Sequence, residues 1–117
     1  MTRTILVVDD NEAARTLVST TLRMFGFQVA EAETGYEALG IARGERPIDL
    51  LLTDIILGGL DGRQLAEQVM LIWPEMKVLF MSGYPRSTLG MAAQEDVFLQ
   101  KPFQAAELKQ KVAALLQ

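Results

Sequence analysis

Leu50-Leu51-Leu52-Thr53-Asp54 constrains this chain more than any other stretch. Three leucines run into a threonine and an acid, and Ile55-Ile56-Leu57 and the pair Gly58-Gly59 follow. A continuous apolar run bounded by turn residues reads as a strand covered on both faces, as strands of parallel sheets are. Asp54 then stands where the strand leaves the core. A carboxylate with hydrocarbon on both sides in sequence is costly to bury alone, so the rest of the chain has to supply its partner.

Other segments repeat the pattern of a strand followed by a helix. Ile5-Leu6-Val7-Val8 is a second buried strand, rich in β-branched residues, and it too ends in acid, at Asp9-Asp10. Asn11-Glu12 opens a helix that sets Leu17, Val18, Leu22 and Phe25 on one face, and Gly26 fits the position just past its end. Phe27 to Ala32 is a short strand. Thr34 with Glu37 forms a capping box for a helix through Ala38, Leu39 and Ala42. After the central strand, Asp61-Gly62-Arg63-Gln64 begins a helix with Leu65, Val69 and Ile72 at helical spacing, stopped by Pro74. Lys77 to Met81 is a fourth strand and Val97 to Gln100 a fifth. Between them Pro85 to Gln94 is a helix weakened by Gly90. Ala105 to Leu116 closes the chain as an amphipathic helix with Leu108, Val112 and Leu115 inward.

Five strands alternating with five helices imply an α/β fold: one domain over residues 1–117, a (βα)5 doubly wound parallel sheet with helices on both faces. The length of 117 residues fits a single core, and 50% hydrophobic residues can fill it. A net charge of -4 gives no electrostatic reason to bind nucleic acid or an anionic membrane. With no cysteine and no histidine, thiol nucleophiles, thiolate metal sites and Ser-His-Asp triads are excluded. No apolar run spans a bilayer and no signal-peptide pattern opens the chain, so a cytoplasmic setting is expected.

Parallel sheets bind ligands outside the carboxyl ends of their strands. Here those ends, and the turn after the fourth strand, carry Asp9-Asp10, Asp54, Ser82 and Lys101. Taken singly, each has a bland reading: a helix cap, a loop acid, a turn serine, a solvated lysine. Phe98 and Phe103 by themselves read as core. The set reads differently. Three carboxylates near one point repel one another, and Mg2+ relieves this with a few carboxylate oxygens, waters and phosphate oxygens. Lys101 suits a phosphoryl oxygen, and the Ser82 hydroxyl can donate to another. Asp54 is then the best nucleophile for phosphoryl transfer, through an acyl phosphate.

The ordered set Asp9-Asp10, Asp54, Asp61-Gly62, Ser82 and Lys101-Pro102-Phe103 resembles, from end to end, the receiver domain of bacterial two-component response regulators. The resemblance implies a flavodoxin-like strand order of 2-1-3-4-5. It implies that Asp54 is the phosphoacceptor, charged by a phosphohistidine on a partner: a histidine kinase or a histidine phosphotransfer protein. It makes Asp10 a direct Mg2+ ligand, Asp9 a ligand partly through water, and the backbone carbonyl of Ile56 a further ligand. Lys101 would bridge the phosphoryl group and the acids. Ser82 would swing toward the phosphoryl group, and Phe98 would turn inward as it does. The Lys101-Pro102 bond is expected to be cis. Phe80-Met81-Ser82-Gly83-Tyr84, with Leu57-Gly58-Gly59-Leu60-Asp61-Gly62-Arg63, is most similar to receivers attached to hybrid sensor histidine kinases. Such a receiver would dock a helix bundle on Ala13, Ala14 and Leu17, with Pro102 and Phe103 beside them and Arg15 at the charged edge. The output left open includes a phosphorylation-dependent homodimer.

Two departures from the family pattern stand out. Gly58 occupies a place where many relatives have proline, so a more mobile loop is expected after Asp54. Ile56 puts an apolar side chain beside the site, where it would hinder attacking water. The alternative reading is a receiver-like docking module that works without phosphorylation. A flavin or nucleotide carrier on the same fold lacks a glycine-rich loop after the first strand, and a hydrolase would lack any histidine or cysteine to assist it.

Overall fold

The computed structural model describes residues 2–85 and 97–117. Its elements in order are β1 (Thr4–Val8), α1 (Glu12–Met24), β2 (Gln28–Ala32), α2 (Gly35–Ala42), β3 (Leu50–Asp54), α3 (Gly62–Ile72), β4 (Lys77–Ser82), β5 (Phe98–Gln100) and α4 (Ala105–Leu115). The helix expected from Pro85 to Gln94 lies, beyond Pro85, outside the described residues. All strand pairs are parallel, in the order β2-β1-β3-β4-β5. This is the doubly wound sheet expected from the alternation of strands and helices, in the flavodoxin-like order that the resemblance implied.

Strand side chains alternate between the two faces of the sheet, and the core divides accordingly. Leu6, Val8 and Leu51 face α2 and α3, packing with Ala38, Leu39, Leu65 and Val69. Ile5, Val7, Leu50 and Leu52 face α1 and α4, packing with Val18, Leu22, Leu108 and Val112. Every residue of β1 is buried, which is why that strand reads as an unbroken apolar run.

The helix ends follow the local chemistry. Asn11 caps α1, its side chain accepting from Ala14 N–H at 2.8 Å, and Gly26 follows the helix in the left-handed region at φ 94°. Asp61 and Gln64 form a full capping box on α3. At α2 only half of the expected box forms. Thr34 accepts from Glu37 N–H at 3.0 Å, but the Glu37 carboxylate accepts from Glu33 N–H, at 3.2 Å, instead of from Thr34.

One face assignment changes. Leu17, expected on one face with Val18 and Leu22, is 69% exposed, while Ser19 is fully buried and its hydroxyl has no hydrogen-bond partner among the described residues. The buried stripe of α1 therefore runs through Val18, Ser19 and Leu22. Phe25 is only half-buried; the Lys109 ammonium of α4 sits 5.1 Å above its ring. None of the described helices is long and apolar enough to cross a membrane.

Candidate functional site

Register brings the site together. Val8 stands opposite Thr53, and Asp54 opposite Met81, so β1, β3 and β4 end level with one another. Asp9 and Asp10 leave β1 beside Asp54, and oxygen atoms of the three acids lie within 4.8 Å of one another. Lys101 arrives from the end of β5, where its backbone N–H donates to the Ser82 carbonyl at 2.8 Å. Its Nζ donates to Asp9 Oδ2 at 2.7 Å and to Asp54 Oδ2 at 3.0 Å. The partner that a carboxylate at the end of a buried strand requires is thus Lys101. The Lys101-Pro102 peptide bond is cis, as expected.

The three acids differ in their surroundings. Asp9 is 0% exposed, and both of its carboxylate oxygens are engaged: Oδ1 accepts from Asn11 N–H at 2.9 Å and Oδ2 from Lys101. Asp10 is exposed and carries no hydrogen bond or ion pair among the described residues. Asp54 lies between these extremes. Burial pushes its carboxyl above the ordinary 3.8; the hydrogen bond and charge of Lys101 pull it back without cancelling the rise, to which Asp9 and Asp10 add. Burial draws the Lys101 ammonium down, but its hydrogen bonds to Asp9 and Asp54 and their charges outweigh this. The net shift is above 10.5.

Ser82 is 1% exposed and is the last residue of β4, not part of the turn beyond it. Its Oγ accepts from Tyr84 N–H at 3.0 Å. Phe98 is already inward here, 4% exposed and packed with Ile55 and Phe80. Ile56, two residues beyond Asp54, is 51% exposed. In the loop that follows, the left-handed residue is Gly59, at φ 77°, and not Gly58.

Ala14, Leu17, Pro102 and Phe103 line one shallow apolar depression beside Lys101, joined by Val18 and Gly83. Ala13 stands apart from it, in a neighbouring groove along α1 with Leu17 and Thr20. Arg15 is not the free edge of this face. Its side chain is 16% exposed, and Nη1 donates to the Asp9 carbonyl at 2.8 Å.

Sequence reasoning missed two supports of the site, Arg15 and Gly62. A Cβ on Gly62 would run into the Asp54 carbonyl oxygen and come within 3.0 Å of Ile55 Cα. The Gly62 N–H also donates to Ile55 O at 2.8 Å. The sequence marks Asp61-Gly62 as a motif, but the close approach that demands glycine is visible only once α3 is packed against the end of β3.

The donor set fits a hard divalent cation: three carboxylates converge, and Lys101 covers only one oxygen of Asp54 while Asp10 is exposed beside it.

Comparison with known proteins leads to the same place. Over 119 residues the chain is 34% identical to the alkaline phosphatase synthesis transcriptional regulatory protein PhoP of Bacillus subtilis, covering 99% of this chain and 49% of that protein. It is 33% identical to the response regulator receiver protein CpdR of Brucella abortus, over 99% of this chain and 98% of that protein. The chain thus spans about half of the first relative and nearly all of the second. The crystal structure of the receiver domain from the hybrid histidine kinase CckA superposes with a TM-score of 0.82 at 36% identity, covering 97% of this chain and 99% of that one. Residues 5–113 match the response regulator receiver domain family, and with these strand ends, this strand order and these relatives the chain belongs to it.

Proposed function

We propose that residues 1–117 act as one receiver domain that takes a phosphoryl group from a partner phosphohistidine onto Asp54, in a reaction that needs Mg2+. The observation that carries this reading is the Lys101 ammonium bonded to both Asp9 and Asp54 within a three-carboxylate cluster. An Asp54 carboxylate oxygen attacks phosphorus, the P–N bond of the donor breaks, and its electron pair returns to the imidazole. Asp10, Asp54 and the Ile56 carbonyl would hold the cation directly, and Asp9, already saturated by Asn11 and Lys101, partly through water. Bound Mg2+ would neutralise charge on the phosphoryl oxygens.

This chain's own groups do the rest. Lys101 keeps one side of the phosphoryl group compensated while remaining tied to Asp9. Ser82 gives up its bond from Tyr84 N–H and donates its hydroxyl to a phosphoryl oxygen. With Phe98 already inward, the aromatic swing expected from the sequence is not required for that step. Ile56 shields the acyl phosphate from water. The domain promotes its own phosphorylation and dephosphorylation and needs no separate catalyst. Its donor is a histidine kinase or a histidine phosphotransfer protein, docked over Ala14, Leu17 and Phe103. The likeness to the CckA receiver favours the hybrid-kinase setting, and a cytoplasmic location goes with this reading.

Intact mass after incubation with Mg2+ and a small acyl phosphate tests the reading. Wild type should gain one phosphoryl group and Asp54→Asn none. No gain in wild type, with a donor active on another receiver, would favour a docking module that works without phosphorylation.

A further inference from the structure

We propose that Arg15 is a positioning residue for the acidic site, holding the peptide between Asp9 and Asp10 so that the Asp10 carboxylate is presented to a divalent cation. The inference rests on the reading of Asp10 as a magnesium ligand.

Asp9 is fixed at every polar atom. Its N–H donates to the Ala32 carbonyl at 3.2 Å, its Oδ1 accepts from Asn11 N–H at 2.9 Å, and its Oδ2 from Lys101 at 2.7 Å. Its carbonyl accepts from Arg15 Nη1 at 2.8 Å. That carbonyl belongs to the peptide leading into Asp10, whose own side chain nothing among the described residues holds. The direction in which Asp10 leaves the strand end is therefore set by the Asp9–Asp10 peptide plane, and Arg15 is the group that pins the plane from outside the strand.

The guanidinium is itself anchored. Arg15 Nε lies 3.6 Å from Glu31 Oε1, and Glu31 stands in β2 opposite Val7 of β1. Arg23 Nη2 holds the other oxygen of Glu31 at 3.2 Å. The planar fork of arginine suits two acceptors in different directions, which an ammonium serves poorly. Groups of this kind, one bond behind a metal ligand, typically alter metal affinity by tenfold or more.

Simple electrostatics and positioning predict opposite signs. Removing a positive charge near three carboxylates would tighten binding of a cation, whereas loss of a positioning contact weakens it. The test is calorimetric titration of the unphosphorylated protein with Mg2+ alone. The proteins are wild type, Arg15→Met, Arg15→Lys and Asp10→Asn. Arg15→Met keeps the buried stem but removes the fork. It should weaken Mg2+ binding about tenfold. Arg15→Lys should fall between it and wild type. Acyl-phosphate labelling of Arg15→Met should need correspondingly more Mg2+ for half-maximal rate, yet reach the wild-type rate at saturation, a split that mere loss of stability would not produce. Unchanged or tighter Mg2+ binding in folded Arg15→Met overturns the proposal. If thermal melts show that variant unfolded, Arg15→Lys decides: weaker binding than wild type supports positioning, and equal or tighter binding refutes it. Failure of wild type to bind Mg2+ would instead overturn the metal reading, and this inference with it.

Discussion

Asp54 is held between a hydrophobic sheet and an ammonium, and its titration follows from that placement. Burial raises its pKa above 3.8 despite Lys101. In metal-free protein the folded state then keeps the Asp54 proton more tightly than the unfolded chain does. Stability from this group is lost as pH rises from 3.8 through the folded pKa. Lys101 works over a different window. Its folded pKa is also raised, so its contribution is complete below 10.5 and disappears only as pH climbs through the folded value. In chelator at neutral pH, Asp54→Asn, which mimics the protonated acid, should melt above wild type. The gap should close as pH falls toward 3.8. Thermal melts across that range check the sign, and a gap that widens on acidification would show the assignment to be wrong. At this scale the sequence was only partly legible. Asp9, Asp10, Asp54, Ser82 and Lys101 could be picked out because each is polar chemistry at the end of an apolar run. Arg15 could not, because its acceptor is a backbone carbonyl, and carbonyls leave no mark in composition. Leu17 does not share the buried face of Val18 and Leu22: hydrophobicity groups the leucine with them, yet the buried stripe runs through Ser19 and leaves Leu17 in solvent.

Among the elements, the junction of β3 with α3 controls where Asp54 ends up. Strand and helix meet at Gly62, with its N–H on the Ile55 carbonyl and no room for a side chain against the Asp54 carbonyl. Gly62→Ala would force the helix start and the strand end apart. Overpacking of this kind costs about 1–3 kcal/mol. Urea denaturation should show that loss, and acyl-phosphate labelling should slow because the displaced backbone carries Asp54, the proposed nucleophile. Normal stability with normal labelling would mean that the junction yields freely. Helix boundaries were the most legible feature at this scale, since Asn11, Gly26, Thr34 and Asp61 act through bonds within a few residues. What eluded the sequence was the destination of one such bond: Glu37 was expected to close on Thr34 and closes on Glu33.

For the whole molecule, unbroken apolar strands implied a parallel sheet with two covered faces, because only burial on both sides permits such runs. Strand order did not follow from the runs themselves; it entered through the family resemblance, and β2-β1-β3-β4-β5 agrees with it. That order gathers the three acids and Lys101 at one end of the sheet. It also sets the exposed Leu17 beside Pro102 and Phe103, next to the Lys101 that serves the acids. A donor helix laid over this depression would bring its phosphohistidine to the cluster without crossing any other part of the surface. A small acyl phosphate needs no such docking, so the two donors separate recognition from chemistry. Leu17 is 69% exposed, and surface substitutions of this kind usually change stability by no more than about 0.5 kcal/mol. Leu17→Glu should therefore leave a folded protein that binds its partner poorly. The ratio of labelling by a phosphorylated histidine phosphotransfer domain to labelling by acyl phosphate should fall about tenfold, the loss expected when one apolar anchor worth more than about 1 kcal/mol is replaced by a charge. An unchanged ratio would place the docking surface elsewhere and leave the exposure of Leu17 without a purpose in phosphotransfer.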